Sequence, residues 1–405
     1  MKLFKKMIIA FLAVTICSIF VSAAVPELVA ETAVLIDAET GQVLCDKEMH
    51  KQMHPASITK VITVITALEN LELSDTITMS RKAVSLEQGS SHIALDEGEE
   101  ITVEQAIYAA FLKSANDACN GLAEAAAGSI EDFTALMNET AKRAGALNSN
   151  FINAHGYHAE EHLTTAYDMA MICRYALQNE DFARMFGEKT YTMPPNNKKD
   201  ESRYFINQHW MINGDYEYDG VIGGKPGYTT PSRNTLITVA ERDGRRLIAV
   251  VLKCPKGTQY EDTEALFDYG FDELQSITLT SEDLSRKYGY TLDEEVAFLA
   301  EKGIGKENLV FEFSEVDGNS ICHISSPDGR ELTEFSCKKI PEPEPEERKN
   351  SDKEKKNEED DGISFWGVLL WIVLIGVLGF GLFVLWIYLR KRFGYHRKRR
   401  NYRGR

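Results

Sequence analysis

The stretch Pro55-Ala56-Ser57-Ile58-Thr59-Lys60 stands directly before the apolar run Val61-Ile62-Thr63-Val64-Ile65. If that run is a helix, residues three apart lie on one face, so the hydroxyl of Ser57 and the amine of Lys60 converge near its N-terminus. A serine hydroxyl needs a base beside it at neutral pH, and a partly buried lysine with a lowered pKa can be that base. Such a pair recurs by chance in chains of this length, so its meaning depends on the rest of the sequence.

Two further motifs lie downstream of this stretch. Ser114-Ala115-Asn116 falls at a break in a long helical pattern, and Lys225-Pro226-Gly227 lies just before a late hairpin. Taken alone, the serine and asparagine of the second motif could simply cap or break a helix. Together with the first motif, the order S-x-x-K, S-x-N and K-x-G follows the signature of serine β-lactamases and penicillin-binding proteins.

The region from residue 27 to residue 275 mixes strand and helix patterns. An early hairpin is predicted within residues 33–44, and a late hairpin within residues 235–253 turns at Asp243-Gly244. Helical periodicity fills the space between them, in residues 60–71, 102–127, 130–144 and 165–178. Strands at both ends with helices between them predict one sheet covered by helices, an α+β (mixed α/β) domain.

The sequence changes character after residue 275. Residues 276–340 consist of short alternating apolar and polar runs, which predict a small β-rich domain. Residues 341–362 begin with alternating proline and glutamate and continue as a charged stretch that is too polar to pack a core. We expect this linker to be extended and to hold the globular part away from a membrane.

Both ends of the chain carry membrane signals. Residues 1–23 combine three lysines, an apolar stretch and a small-residue cleavage pattern, which predicts a secretory signal peptide, with an uncleaved anchor as the alternative. Residues 365–389 hold no charged residue and form a predicted transmembrane helix, and the basic tail of residues 390–405 follows at once. Because basic flanks stay cytoplasmic, we expect a single-pass cell-membrane protein whose globular part is extracytoplasmic.

The net charge and the cysteine spacing argue against nucleic-acid binding and against a metal site. The signal and the tail together hold twelve of the 45 basic residues, which leaves 33 basic against 62 acidic residues, a net charge of −29, for the external part. Such a surface argues against nucleic acid as a partner. The six cysteines outside the signal show no metal-ligand spacing, so no metal is expected. Cys322 and Cys337 flank a hairpin signal and either pair or remain free thiols.

On these motifs the first domain resembles the serine D-alanyl-D-alanine carboxypeptidases, the low-molecular-mass penicillin-binding proteins. Pro55–Lys60 matches the family's nucleophile segment at every position, and residues 33–44 resemble its opening hairpin. Phe151–Gly156, with the sequence F-I-N-A-H-G, resembles the family's F-x-N-P-H-G segment. The resemblance covers about residues 27–269 and implies the penicillin-binding-protein/β-lactamase-like transpeptidase fold. The β-rich region lies where many members carry a second domain.

The resemblance implies a role for each matching residue. Ser57 would attack the carbonyl between two D-alanines of a peptidoglycan stem peptide, Lys60 would take its proton, and Ser114 would relay a proton to the departing D-alanine. The backbone N–H groups of Ser57 and Tyr228 would form the oxyanion hole. The implied substrate-binding residues are Asn116, Lys225, Gly227 and Tyr228. No metal or organic cofactor is implied, β-lactams are expected to acylate the same serine, and Asn153 and His155 are expected to be structural.

Pro226 is a departure from the family pattern. The family usually has threonine at this position, and its hydroxyl commonly helps to hold the carboxylate of the substrate. The candidates for a replacement contact are Thr229, Thr230, Ser232 and Arg233. Proline itself is tolerated here if the segment is an edge strand.

Two alternatives to the carboxypeptidase remain open. A class A-like β-lactamase would need a deacylating glutamate, usually in an E-x-x-L-N segment, and no such segment occurs between Asn116 and Lys225. The other alternative is a catalytically impaired wall-binding member of the fold, and Pro226 is the one feature of the sequence that supports it. Endopeptidase activity on cross-links would use the same site as the carboxypeptidase.

Overall fold

The computed structural model describes residues 25–316 and 318–341. The strands are β1 (Thr32–Asp37), β2 (Val43–Lys47), β3 (Thr76–Thr78), β4 (Glu100–Thr102), β5 (Thr190–Met193), β6 (Arg203–Ile206), β7 (Val221–Thr229), β8 (Arg233–Arg242), β9 (Arg245–Cys254), β10 (Leu274–Leu279), β11 (Tyr290–Thr291), β12 (Val296–Glu301), β13 (Val310–Val316), β14 (Asn319–Ser325) and β15 (Glu331–Lys339). The helices are α1 (Lys60–Leu68), α2 (Arg81–Val84), α3 (Val103–Leu112), α4 (Asn116–Ala127), α5 (Ile130–Arg143), α6 (Ala166–Ala176), α7 (Glu180–Phe186), α8 (Trp210–Asn213), α9 (Thr258–Asp268) and α10 (Ser281–Tyr288). A π-helical turn, Tyr269–Glu273, follows α9.

Five strands form an antiparallel sheet in the order β2-β1-β9-β8-β7. The late hairpin β8–β9 turns at Asp243 and Gly244, which have φ angles of 51° and 78°. Two successive positive φ angles fit a tight hairpin turn whose twist matches that of the strands. β1 pairs with β9, so the beginning and the end of this region close one sheet, and β7 is left as an edge strand.

Both faces of this sheet are covered by apolar residues. Along β1, Val34 and Ile36 belong to one buried cluster, whereas Ala33 and Leu35 belong to another, because successive side chains of a strand point to opposite faces. The first cluster contains α1, which is buried from Lys60 to Ala67. The second cluster contains buried residues of α9. The mixed α/β architecture that the sequence predicts is confirmed.

The helical pattern predicted over residues 102–127 is divided into α3 and α4. Thr102 begins α3 with a capping box, since its hydroxyl accepts from Gln105 N and the Gln105 side chain accepts from Thr102 N. The break follows at Ser114, whose φ of 56° is left-handed and cannot continue a right-handed helix. The S-x-N motif therefore lies at a sharp turn between two buried helices.

Residues 274–339 form a four-stranded sheet, β11-β15-β14-β13, and a strand pair, β10–β12. They have an apolar cluster of their own, which includes Leu279, Leu284 and Phe298. Polar contacts join them to the first hairpin, because the Gln42 side chain bonds both Leu299 N and Leu299 O. All the described residues belong to one compact unit, so a separate domain over residues 276–340 stays a prediction.

Several predicted segments lie outside the described residues: the signal peptide, residues 342–362 of the linker, the transmembrane helix at 365–389 and the basic tail at 390–405. Among the helices of the described ranges, none has both the length and the apolar character needed to cross a membrane. The cysteines Cys322 and Cys337 are free thiols, so of the two alternatives the structure shows the unpaired one. In the β14–β15 register Cys322 lies opposite Phe335 and not opposite Cys337.

Candidate active site

Ser57 lies in a single turn of 3-10 helix, Ala56–Thr59, which leads directly into α1. The chain enters this turn through Ala56, whose φ of 53° is left-handed. That conformation costs a residue with a Cβ about 1–2 kcal/mol. Ile58 and Thr59 are fully buried, whereas Ser57 is partly exposed. The turn therefore presents the Ser57 hydroxyl to solvent from a base that is anchored in the core.

The Lys60 side chain is completely buried, and its amine contacts three oxygen atoms. Lys60 Nζ lies 3.2 Å from Ser57 Oγ, 2.8 Å from Asn116 Oδ1 and 2.7 Å from His155 O. Burial lowers the pKa of Lys60 to about 8, because removal from solvent disfavours the charged ammonium. Part of the amine population is therefore neutral at pH 7 and can accept the proton of the Ser57 hydroxyl.

The second motif places Asn116 at the first position of α4 and Ser114 at the turn before it. Asn116 N donates to Ser91 O at 2.8 Å, and Asn116 Oδ1 accepts from Lys60. Ser114 is buried, but among the described residues its hydroxyl makes no hydrogen bond to Lys60 or Lys225. The relay role of Ser114 thus stays a prediction, whereas the contact of Asn116 with Lys60 is present.

Asp117, which the sequence alone does not single out, holds one wall of the site. Its buried carboxylate accepts from Leu95 N at 3.1 Å and from Ile93 N at 3.2 Å. Together with the bond from Asn116 N to Ser91 O, these contacts tie residues 91–95 to the start of α4. The only signal in the sequence is its position directly after the S-x-N motif.

Lys225 lies on the edge strand β7 and is fully buried. Its Nζ donates to Pro226 O at 2.8 Å. Burial, and then the charge of nearby Lys60, lower the pKa of Lys225 well below its usual value. Two buried lysines therefore share this site, so an anionic group bound beside them would favour the protonated form of Lys225.

At Gly227, strand β7 passes close to the 3-10 turn Ala56–Thr59. A Cβ atom at this position would lie 2.8 Å from Ser57 N and 2.5 Å from Thr235 Oγ1. Thr235 Oγ1 in turn donates to Pro55 O at 2.8 Å, which joins β8 to the same turn. Only glycine permits this approach of two backbones. Ser57 N therefore lies close to β7 at Gly227, and the following residue, Tyr228, lines the same cleft as Ser57.

The segment Asn153–Gly156 forms the remaining contact with Lys60. Asn153 Oδ1 accepts from Gly156 N at 2.7 Å, and this turn directs His155 O toward the lysine. Gly156 has a φ of 85°, and a Cβ here would lie 1.8 Å from Ala56 O. Burial lowers the pKa of the His155 ring to about 3, so the ring is neutral. Its carbonyl contact was not predicted, because a backbone contact leaves no side-chain signal.

A cleft of about 380 Å³ opens at Ser57. Its walls are formed by Asn116, Gly156 and Tyr228 and by residues 88–91, 157–158 and 229–231. A larger groove of about 690 Å³ lies between the first hairpin and residues 330–334, and none of the predicted site residues lines it. The cleft at Ser57 is therefore the candidate active site, because predicted site residues line it.

Four residues are candidates to replace the threonine hydroxyl that the family usually has at the position of Pro226, and they differ in their hydrogen bonds and in whether they line the cleft. Thr229 Oγ1 and Ser232 Oγ bond each other, so both hydroxyls are engaged. Thr230 is exposed and lines the cleft, whereas Arg233 does not line it. The Tyr228 side chain is 64% exposed and also lines the cleft. Of the four candidates, Thr230 has the position that suits a carboxylate contact best.

Among the described residues, one group of metal-type side chains has ligand atoms within 4.8 Å of one another: His323, Glu331 and Glu334. None of these three residues lines the cleft at Ser57. The side chains around Ser57 are instead a hydroxyl, two amines and an amide. This set suits nucleophilic acyl transfer with a lysine base.

Comparison with known proteins agrees with this geometry. The family model of the D-alanyl-D-alanine carboxypeptidases matches residues 20–256. The D-alanyl-D-alanine carboxypeptidase DacF of Bacillus subtilis is 32% identical over 330 residues, which are 76% of this chain and 82% of that protein. The crystal structure of a D-alanyl-D-alanine carboxypeptidase from Mycobacterium tuberculosis matches with a TM-score of 0.57 at 29% identity, over 62% of this chain and 95% of the other.

A second solved structure covers more of the chain. Penicillin binding protein 6B from Escherichia coli matches with a TM-score of 0.63 at 26% identity, over 78% of this chain and 98% of the other. The sequence match, the fold and the order of the three motifs agree with one another. This chain therefore belongs to the D-alanyl-D-alanine carboxypeptidase family of serine peptidases.

Proposed function

We propose that this protein removes the terminal D-alanine from peptidoglycan stem pentapeptides through an acyl-enzyme on Ser57, and that penicillin acylates the same serine. The observation that carries the proposal is the position of Lys60 Nζ, buried and within hydrogen-bonding distance of Ser57 Oγ, Asn116 Oδ1 and His155 O. A lysine with a pKa of about 8 beside a partly exposed serine is a nucleophile and base pair.

Acylation forms an ester on Ser57 and releases the terminal D-alanine. Ser57 Oγ attacks the carbonyl carbon of the penultimate D-alanine, and its proton passes to the neutral amine of Lys60. The oxyanion of the tetrahedral intermediate accepts hydrogen bonds from Ser57 N–H and Tyr228 N–H. Collapse breaks the peptide bond, the Lys60 ammonium gives up its proton, by way of Ser114, to the nitrogen of the leaving D-alanine, and an ester remains on Ser57 beside a neutral Lys60.

Hydrolysis of the ester completes the cycle. A water molecule loses a proton to Lys60 and attacks the ester carbonyl, and Ser57 recovers its proton as the tetrapeptide leaves. Lys225, protonated when the substrate carboxylate is bound, would stabilise that carboxylate, and Thr230 would take over the contact that Pro226 cannot make. We infer that activity is retained despite Pro226, with an altered affinity for the carboxylate.

Two measurements on the purified protein test the proposal. D-alanine release from a pentapeptide is expected for the wild type, and fluorescent penicillin is expected to label the wild type but not Ser57→Ala. No labelling of the wild type would favour the impaired wall-binding alternative. Nitrocefin turnover well above one equivalent per enzyme would instead favour the β-lactamase.

We further propose that the protein is held in the cell membrane by residues 365–389, with the catalytic part outside and residues 390–405 inside. The support is the uncharged length of the first segment and the basic character of the second. A cysteine placed in the basic tail should resist a membrane-impermeant maleimide in intact cells and react after permeabilisation. Reaction in intact cells would overturn this orientation.

A further inference from the structure

The peptide unit between Ala56 and Ser57 is held in an unusual conformation. Ala56 is left-handed, and such residues persist only where the surrounding structure fixes them. A trans peptide is planar, with its C=O and N–H pointing in opposite directions. The direction of the Ala56 carbonyl therefore sets the direction of Ser57 N–H, one of the two proposed donors to the oxyanion.

The Ala56 carbonyl is fixed by a hydrogen bond from a buried hydroxyl. Thr59 Oγ1 donates to Ala56 O at 2.8 Å. The same Oγ1 lies 2.9 Å from His162 Nε2. Because the single hydroxyl proton of Thr59 is used on Ala56 O, the imidazole must be the donor in the second contact.

The other ring nitrogen of His162 fixes the same tautomer. Ile152 N–H donates to His162 Nδ1 at 3.2 Å, so Nδ1 is an acceptor and Nε2 carries the proton. His162 is 1% exposed, and burial lowers its pKa to about 3. The neutral ring thus has one acceptor and one donor, and both are used. We call the chain His162 Nε2, Thr59 Oγ1 and Ala56 O the Ala56 brace.

We propose that His162 is a positioning residue for acylation, and that it acts through Thr59 to hold the Ala56–Ser57 peptide so that Ser57 N–H is aimed at the oxyanion. The proposal rests on the proposed function, because it assumes acylation at Ser57. Close packing around this peptide supports it, since a Cβ at Gly156 would lie 1.8 Å from Ala56 O and a Cβ at Gly227 would lie 2.8 Å from Ser57 N. His162 neither lines the cleft nor bonds Lys60, and its hydrogen-bonded route to the Ala56–Ser57 peptide is the brace.

The test compares substitutions that keep or remove single hydrogen bonds. Thr59→Val keeps the shape of the side chain and removes the hydroxyl, whereas Thr59→Ser keeps the hydroxyl. His162→Leu removes the ring donor, whereas His162→Gln can place an amide N–H near the position of Nε2. His323→Gln, in the β-rich region, serves as the control for a histidine substitution away from the cleft.

The readouts are the rate constant of penicillin acylation at saturation, the concentration for half-saturation and the melting temperature. A misdirected oxyanion donor acts on the transition state, so Thr59→Val and His162→Leu should each slow acylation by about 10- to 100-fold with half-saturation changed less than about threefold. Thr59→Ser and His162→Gln should recover most of the rate. The double variant Thr59→Val/His162→Leu should be no slower than the slower single variant, because both act on one chain.

Normal acylation by Thr59→Val would overturn the brace. The brace would also be overturned if the rate reductions of Thr59→Val and His162→Leu multiplied in the double variant. Equal slowing by Thr59→Val and Thr59→Ser, or by His162→Leu and His162→Gln, would overturn it too. If His162→Leu does not fold, His162→Asn, whose shorter amide does not reach the position of Nε2, replaces it and should be slower than His162→Gln. Absence of acylation in the wild type would overturn both the proposed function and the brace, whereas a fast wild type and a fast Thr59→Val would overturn the brace alone.

Discussion

Residues 25–273 and residues 274–341 differ in how they use irregular backbone. Among the described residues, seven non-glycine residues have a positive φ, and all of them lie at or before Lys253. Two of the seven are Ala56, next to Ser57, and Ser114, in the second motif. In residues 274–341 the described positive φ angles belong to glycines at turns. Strain carried by residues with a Cβ is thus confined to the region that holds the site.

Charge is distributed in the same way. Lys60 and Lys225 are fully buried in the first region, although burial of an amine is unfavourable. In the second region Lys338 pairs with Asp293 at 2.7 Å, with both side chains mostly exposed, as is usual for a surface ion pair. The extensive apolar core around α1 offsets the cost of the buried amines and the strained turn. The buried amines of the first region contact neutral oxygen atoms, whereas buried Glu301 of the second region pairs with Arg330 at 3.0 Å.

The largest expected effect comes from removing the base in the first region. Lys60→Met should lower the acylation rate by about 10³-fold, because Ser57 then lacks its proton acceptor. Lys338→Met, the matched change in the second region, should leave the rate unchanged and cost less than about 1 kcal/mol of stability. Stopped-flow labelling with fluorescent penicillin and a thermal melt measure both. Near-normal acylation by Lys60→Met would show that Lys60 is not the base and that the two lysines do not differ in function.

The pH dependence of acylation should report the buried lysine directly. The free-enzyme profile of kcat/KM follows the neutral fraction of Lys60, so the rate should rise with pH through about 8, the pKa to which burial lowers this amine. Below that value the rate should fall by about tenfold for each pH unit. The check is the second-order rate constant of acylation, measured with penicillin well below half-saturation from about pH 6 to about pH 10. A rate that falls as the pH rises through this pKa would assign the base to another group.

A glycine pair tests the contact between β7 and the nucleophile turn. Gly227→Ala should slow acylation by about tenfold or more, since its Cβ would lie 2.8 Å from Ser57 N and must push the edge strand away. Gly303 in the second region has a φ of 93° and open space around it. Gly303→Ala should therefore cost about 1 kcal/mol of stability through backbone strain and leave the rate unchanged. Equal rates for the two variants would show that the close approach does not matter.

Contacts between residues close in the sequence could be predicted from the sequence, whereas contacts between distant segments could not. Ser57 and Lys60 could be paired from spacing alone, because a helical turn brings residues three apart together. The partners Asn116 and Lys225 came only with the family resemblance, since a fold must bring distant segments together. The carbonyl of His155 and the Thr59–His162 contact were missed because nothing in local spacing joins such distant positions. A separate domain after residue 275 likewise stays open, since contacts such as that of Gln42 with Leu299 join the two regions.

The smallest predicted effect concerns the one position where the first region departs from its family. Pro226→Thr restores a hydroxyl on β7, and one added hydrogen bond contributes about 0.7–1.4 kcal/mol, so KM for the pentapeptide should fall by about three- to tenfold with kcat little changed. Pro255→Thr, beyond the end of β9 and outside the cleft, is the control and should change neither constant. D-alanine release measured over a range of peptide concentrations separates kcat from KM. If the wild type released no D-alanine and Pro226→Thr did, Pro226 would be shown to disable the site. The buried lysines and the strained turn of the first region would then serve ligand binding rather than turnover.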